Sequence, residues 1–335
     1  MSKRKLSEKQ LRRTENAQHD RIKRVKNNHQ DLTPDILGPE KKGLLIASFR
    51  NTYIVKTKTG DLIRCQARQN LGSIVVGDNV VWQNIEENKG VISAVLDRSS
   101  LLERPNYLGK TKPVAANIDQ ILIMSSPAPE LQTSLIDRYL VSVELNDIRP
   151  IIVVNKIDLL SEKQLEEMQS MLNEYASIGY ELHFVTTLTR KGINELQDTL
   201  RNKVSVLVGK SGVGKSSTIK TILPDETIQI GEISESKKLG RHTTTASRLY
   251  DLPFGGALID SPGVRDFGLW HLPKENIAFG FKEFRPFLGS CKFKNCTHRS
   301  EPHCAIQFAV EENQISLMRW KNYSQIFTSL ENKPK

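Results

Sequence analysis

Cysteine is scarce, with 4 among 335 residues, which excludes a fold built on disulfides. Long hydrophobic runs are missing as well. Ile151–Val154 and Val204–Val208 are among the longest apolar stretches, far short of the roughly 18–20 residues that a membrane helix needs. The N-terminus is basic but has no apolar segment behind it, so a secretory leader is not expected. Reduced thiols and a cytoplasmic location are the corresponding expectations. An excess of one sign of charge is absent only from the middle of the chain. Residues 1–30 hold ten lysines and arginines against three acidic residues, and residues 282–335 hold nine against five, within a net charge of +10. Basic ends around a nearly neutral centre suit a polyanion, most commonly a nucleic acid.

A chain of 335 residues has room for two or three cores. Residues 1–37 read as a basic tail that ends in a linker broken by Pro34. Residues 38–103 carry five short runs rich in β-formers, Gly43–Phe49, Thr52–Thr57, Leu62–Gln66, Asn79–Ile85 and Gly90–Leu96, separated by turn residues. Five short strands at even spacing predict a small closed barrel of OB type, a fold that often binds nucleic acid. Cys65 falls in a strand as a core side chain.

From 104 to 274 strands alternate with helices, which predicts a parallel α/β domain. Ile118–Met124, Ile151–Val154 and Val204–Val208 are apolar throughout, as strands covered on both faces are. Phe184–Thr186 reads as a further strand. Leu131–Leu145 has helical spacing, and Ser161 with Gln164 forms a capping-box pattern that opens another helix. Residues 275–335 read as mainly helical around an irregular cysteine loop.

Val204–Val208 runs into Gly209-Lys210-Ser211-Gly212-Val213-Gly214-Lys215-Ser216, followed by Ser217. This is a G-x-x-x-x-G-K-S loop between a strand and a helix. Its glycines let backbone N–H groups wrap phosphates, Lys215 reaches the β- and γ-phosphates, and Ser216 offers a Mg²⁺ ligand. Asn155-Lys156-Ile157-Asp158 follows another apolar strand. There the Asn155 amide can bond a guanine edge, and the Asp158 carboxylate accepts from guanine donors that adenine lacks. Thr186 and Thr187 are further candidate nucleotide contacts. Asp260-Ser261-Pro262-Gly263 offers a second Mg²⁺ ligand in Asp260 and a γ-phosphate sensor in Gly263. His242-Thr243-Thr244-Thr245 offers hydroxyls that can close over Mg²⁺, with Thr244 the candidate ligand. Together these segments specify GTP.

Their order is rotated. The NKID segment precedes the phosphate loop, whereas an ordinary GTPase places it last, so the sequence describes a circular permutation. The D-x-x-G segment then leads directly into the C-terminal module, which makes it the expected route from γ-phosphate loss to that module. Val264 stands where Ras-like enzymes place a glutamine that orients water. A valine cannot do so, and slow unassisted hydrolysis follows.

The remaining cysteines cluster as Cys291-x4-Cys296-x-His298-x5-Cys304, with His303 beside the last. Three thiolates and one imidazole are a closed structural Zn²⁺ set. Lys292, Phe293, Lys294 and Arg299 between the ligands suit RNA. Trp82, Trp270 and Trp320 fit core packing better than base stacking.

The permuted order, GKSGVGKSS, GRHTTT, DSPGVRDFGLW and the cysteine pattern together resemble the RsgA (YjeQ) family of circularly permuted GTPases that depend on the small ribosomal subunit. The likeness spans nearly the whole chain. It implies a monomeric bacterial GTPase acting late in 30S maturation, stimulated by that subunit and contacting 16S rRNA through the barrel and the zinc module. It also implies His298 rather than His303 as the zinc ligand, and His242 beside Lys215 as a catalytic group. Arg241, Arg265 or a group supplied by the ribosome are the alternatives. A GTP-dependent RNA scaffold with little turnover, or a GTPase acting on another RNA, would keep every motif.

Overall fold

The computed structural model describes residues 38–49, 52–69, 71–105, 111–223, 247–261 and 274–331. The basic tail and the segments holding His242, Thr243, Thr244, Thr245, Gly263, Val264 and Trp270 lie outside the described residues.

Strands β1 (Lys41–Phe49), β2 (Thr52–Lys56), β3 (Leu62–Ala67), β4 (Asn79–Glu86) and β5 (Lys89–Val95) neighbour one another in the order β1-β2-β3-β5-β4. β4 returns to pair with the first half of β1, so the five strands close into a barrel. β3 and β5 run parallel, whereas β1–β2, β2–β3, β4–β5 and β1–β4 are antiparallel, which is the OB arrangement. Alternation selects the inside: in β3, Ile63 and Cys65 are buried while Leu62, Arg64 and Gln66 are exposed. Leu45, Val55, Ile92 and Trp82 complete the interior.

A two-stranded ribbon, β6 (Leu101–Pro105) and β7 (Thr111–Ala116), follows the barrel. Nothing in the sequence pattern announces it, because Pro105 and Pro113 argue against strands. A ribbon outside the main sheet leaves proline room to sit without breaking a central ladder. Asp78, fully buried in the turn before β4, accepts from Arg98 Nε at 2.7 Å and Arg98 Nη2 at 2.9 Å. This bidentate pair ties the barrel to the segment that leaves it.

Six strands form the second sheet, in the order β10-β9-β8-β11-β13-β12. They are β8 (Gln120–Ser125), β9 (Arg149–Val154), β10 (Glu181–Phe184), β11 (Val204–Val208), β12 (Ser247–Asp251) and β13 (Ala257–Asp260). β10, β9, β8, β11 and β13 are parallel, and β12 is antiparallel to β13. The third strand therefore stops at Phe184, and Thr186 lies in the loop beyond it. Helices α1 (Thr133–Glu144) and α2 (Glu162–Ser177) cover one face through Ile136, Leu140, Leu172 and Tyr175. Helices α3 (Ile193–Leu200) and α4 (Lys215–Ile222) cover the other through Leu196, Leu200 and Ile222. Successive residues of β8 alternate between these two cores, which explains its unbroken apolar run. Ser161 and Gln164 make the full reciprocal capping box at the start of α2.

The barrel and this sheet share hydrogen bonds. Ala47 and Ser48 at the end of β1 pair with Arg248 and Ser247 of β12, making one sheet of 11 strands.

The last segment contains α5 (Lys274–Gly280), a 3-10 turn at Lys282–Phe287, the cysteine loop, α6 (Ala305–Glu311) and α7 (Leu317–Glu331). Phe281, Phe284, Ile306, Tyr323 and Ile326 form its core, which Val141 of α1 joins from the sheet domain. The junction also holds a buried polar network. Arg319 of α7 donates to Asp137 of α1 and, at 2.6 Å, to Glu283 Oε1. Asp137 further accepts from Tyr175 Oη at 2.7 Å and Asn322 Nδ2 at 2.6 Å. Burial works against the Arg319 charge, but the flanking carboxylates of Asp137 and Glu283 raise its pKa well above the ordinary value. The C-terminal module thus has a direct seat on α1, in addition to the chain connection through the D-x-x-G segment. Among the described residues, no helix is long and apolar enough to cross a membrane.

Candidate functional site

The parallel strands direct their C-terminal ends to one edge of the sheet. β9 ends in Asn155-Lys156-Ile157-Asp158, β11 in the phosphate loop and β13 in Asp260, so three segments far apart in sequence meet there. Chain connections run from β8 toward β9 and from β11 toward β13. The crevice between β8 and β11 is therefore the switch point at which open α/β sheets bind ligands.

Backbone conformation explains the glycines of the loop. Gly209, Gly212 and Gly214 all have positive φ. A Cβ on Gly209 would stand 2.3 Å from Met124 O, and one on Gly214 would stand 2.2 Å from Asn155 Nδ2. No other residue fits at these two positions. α4 begins at Lys215, with Ser216 and Ser217 exposed on its first turn. The helix therefore presents its first-turn N–H groups and the positive end of its dipole toward the loop. Lys215 Nζ reaches back across the loop and donates to Gly209 O at 2.6 Å and Lys210 O at 2.8 Å. Lys210, Ser211 and Gly212 are exposed, while Val213 packs into the core.

Asn155 is 1% exposed, and its amide nitrogen donates to Val213 O at 3.1 Å. It clasps the phosphate loop to the base-reading segment, a role its motif position alone did not give. Its Oδ1 is buried without a partner. Lys156 takes a left-handed conformation, and its Nζ donates to Ala128 O at 2.9 Å, which stands its aliphatic stem beside the loop. Ile157 is buried and anchors the segment, leaving Asp158 exposed. Thr186 Oγ1 donates to Asp158 Oδ1 and accepts from Leu188 N at 3.1 Å. This buried hydroxyl fixes the carboxylate that would read guanine, and Thr187 follows it, half-buried. The loop after β8 matters too, since Ala128 receives Lys156 and Pro129 lies 3.6 Å from where a Gly212 Cβ would be. No sequence motif marks this loop, and only its place at the end of an apolar strand could have suggested it.

The cysteine loop brings Cys291, Cys296, His298 and Cys304 together, with all four ligand atoms within 4.8 Å of one another. Cys291 Sγ and Cys304 Sγ each lie 3.4 Å from His298 Nδ1 and 3.9 Å from each other. A tetrahedral ion with Zn–S bonds of about 2.3 Å would set sulfurs about 3.8 Å apart, so the four residues fit Zn²⁺. His303 is outside the cluster, and its carbonyl accepts from Lys292 N at 3.3 Å. Burial lowers the His298 pKa, which keeps the imidazole neutral as a ligand must be. The support around the ligands is dense: Trp320 Nε1 donates to His298 O, and Tyr323 Oη donates to Thr297 O, both at 2.8 Å. Glu301 accepts from Thr297 N, Arg299 N and Ser300 N at 2.8, 3.1 and 3.2 Å. Arg299 is structural rather than presented to a partner, since it lies 4.5 Å over the Phe327 ring and donates to Glu331 at 3.0 Å. Trp82 and Trp320 pack into the barrel and zinc-module cores respectively.

A parallel sheet that gathers the NKID segment, a phosphate loop and the aspartate of a D-x-x-G motif at one edge, in this rotated chain order, defines a circularly permuted P-loop GTPase. The sequence profile described as RsgA GTPase matches residues 95–270. The "Small ribosomal subunit biogenesis GTPase RsgA" of Haemophilus influenzae (strain PittGG) is 43% identical over 334 residues, covering 98% of this chain and 96% of that protein. Its Vibrio cholerae namesake is 46% identical over 339 residues, covering 99% and 87%. Among solved structures, YjeQ from Thermotoga maritima superposes with a TM-score of 0.73 at 32% identity, covering 88% of this chain and 100% of that one. YloQ, described as a circularly permuted GTPase, gives 0.68 at 28% identity, covering 89% and 97%. The chain belongs to the RsgA GTPase family and is a GTP-hydrolysing enzyme.

Proposed function

We propose that this GTPase serves late maturation of the 30S ribosomal subunit, binding the subunit's 16S rRNA through its barrel and zinc module and hydrolysing GTP faster when bound. The observation that carries the nucleotide part is the Asn155 clasp, because it makes the base-reading and phosphate-binding segments one rigid unit. The curated relatives are named for small-subunit biogenesis, which supports the choice of partner.

In this reading the chain divides into a basic tail (1–37), a barrel (38–103), a GTPase domain (104–274) and a zinc module (275–335), and acts as a cytoplasmic monomer. Asp158, held by Thr186, accepts from the guanine ring, and Lys156 and Thr187 flank the base. The N–H groups of 209–217 and the Lys215 ammonium receive the phosphates, Lys215 exchanging its carbonyl acceptors for phosphate oxygens. Ser216, Thr244 and Asp260 supply a hydroxyl-and-carboxylate oxygen set of the kind Mg²⁺ takes, and the bound ion neutralises charge that develops on the phosphates. Gly263 senses the γ-phosphate. His242 orients the attacking water in place of the missing glutamine. Zn²⁺ at Cys291, Cys296, His298 and Cys304 is structural, since four protein ligands leave no open position.

The test is turnover of GTP and ATP by the protein alone, with 30S and with 50S subunits. Slow GTP hydrolysis accelerated many-fold by 30S alone is expected. Equal rates with and without 30S would refute the partner assignment, and ATP turnover matching GTP would refute the base reading. His242→Ala should abolish the stimulated rate while GTP still binds.

A further inference from the structure

One end of the barrel opens into a cavity of about 730 Å³ that no step of GTP hydrolysis uses. Among the described residues, two polar atoms of its wall have no hydrogen-bond partner. Trp82 is 1% exposed, and its indole N–H is buried without an acceptor. Asn84, two residues along β4 and therefore on the same face of the strand, has a buried Oδ1 without a donor. Both side chains line the cavity. A donor and an acceptor left unmet inside a protein are costly, and a ligand that meets both recovers that cost. A donor and an acceptor on one strand face of one cavity match a ligand that offers both an acceptor and a donor, as nucleobases do.

The mouth supplies the complementary charge. Lys41, Lys42 and Lys58 line it, and the Lys41 ammonium lies 5.4 Å from the centre of the Trp82 ring. Two carboxylates also line the cavity, Glu87 and Asp61, and the latter already accepts from Thr59 Oγ1 at 2.6 Å. The balance remains basic.

We propose that this barrel end binds a single unstacked nucleotide, with the base edge on Trp82 Nε1 and Asn84 Oδ1 and the phosphate on the lysines. The source is either a free 5′-mononucleotide or a splayed residue of RNA, the latter resting on the barrel's rRNA role proposed above.

The experiment is ¹⁵N NMR of the full chain saturated with GDP, so that the GTP site is filled. The Trp82 indole resonance is identified by its loss in Trp82→Phe. The probes are AMP, CMP and UMP, adenosine, inorganic phosphate, and a mixed-sequence hexaribonucleotide. We expect the Trp82 signal to move saturably with a mononucleotide or with the hexamer. Lys42→Gln with Lys58→Gln, both at exposed positions, should weaken that response about tenfold. A shift with mononucleotides assigns a free-nucleotide site, and a shift with the hexamer alone assigns RNA. No shift with either probe overturns the proposal, as does a shift indifferent to the lysine replacements. An equal shift with inorganic phosphate or adenosine alone also overturns it, because base and phosphate must act together. Co-sedimentation with 30S subunits separates the two readings. Binding to 30S without any Trp82 response sinks the nucleotide pocket and leaves the rRNA role standing. A mononucleotide response without 30S binding does the reverse.

Discussion

Arg319 and Asp137 form an ion pair fully shielded from solvent, one from the zinc module and one from the GTPase domain. Removing one partner leaves the other charged and buried, at a cost of about 3–5 kcal/mol. Arg319→Met should lower the urea midpoint accordingly, while Arg319→Met with Asp137→Leu should recover part of the loss. A single-variant midpoint equal to wild type would show that the module does not depend on this seat.

Gly214 has φ +96°, and any Cβ there meets the amide of Asn155. Gly214→Ala combines a left-handed alanine, which costs roughly 1–2 kcal/mol, with a clash at the clasp. GDP affinity should fall at least tenfold with little change in far-UV circular dichroism. Nucleotide titration by calorimetry would check it, and unchanged affinity would show that the clasp is dispensable.

Thr186 steadies the carboxylate proposed to read the base. Thr186→Val removes that donor at nearly constant volume, so preference for GDP over ADP should drop about tenfold, the weight of one hydrogen bond to a charged group. Competition binding with the two diphosphates gives the ratio directly.

The phosphate loop and the zinc ligands are legible in sequence because glycine, lysine and cysteine at fixed spacing have few other uses. The barrel was equally visible, since residues such as Ile63 and Cys65 alternate cleanly with polar neighbours. The β6–β7 ribbon was hidden by prolines, and the short β12 by the lack of an apolar run. Long-range partnerships were beyond reach. Nothing near Asp137 in the chain announces Arg319, because a buried charge looks like a surface charge until its partner is known. The Asn155 amide reads in sequence as a base contact, and only the fold adds Val213 O as an acceptor of its nitrogen.

Chelation should separate the four cysteines. Cys65 is 0% exposed inside the barrel, and burial also pushes its thiol up to about 12. Alkylation at about pH 8 therefore should leave Cys65 untouched in the folded protein. Mass spectrometry should find no modified cysteine in the zinc-loaded protein and three after chelator treatment, the fourth reacting only in denaturant. Early modification of Cys65 would contradict a closed barrel interior.

Glu301 ties the zinc loop with its carboxylate. Burial alone would raise its pKa, but hydrogen bonds from Thr297 and from backbone N–H groups bring it down to about 2. A depressed carboxyl contributes stability that is complete above the unfolded value of about 4.3 and lost as pH falls through about 2. Glu301→Gln should therefore flatten the acid limb of the unfolding profile in that window. It should also weaken zinc binding by roughly tenfold, as loss of a supporting group does. An identical acid limb in the variant would remove Glu301 from the account.

The two pairings of β1 with β12 have a mechanical consequence. A hinge at the seam of barrel and GTPase domain would have to break main-chain hydrogen bonds, so across Ala47–Ser48 the two move as one body. β12 begins two residues after Thr245, the end of the threonine segment expected to close over Mg²⁺. Any displacement of β12 is therefore carried into β1, and so into the barrel wall, through main-chain bonds.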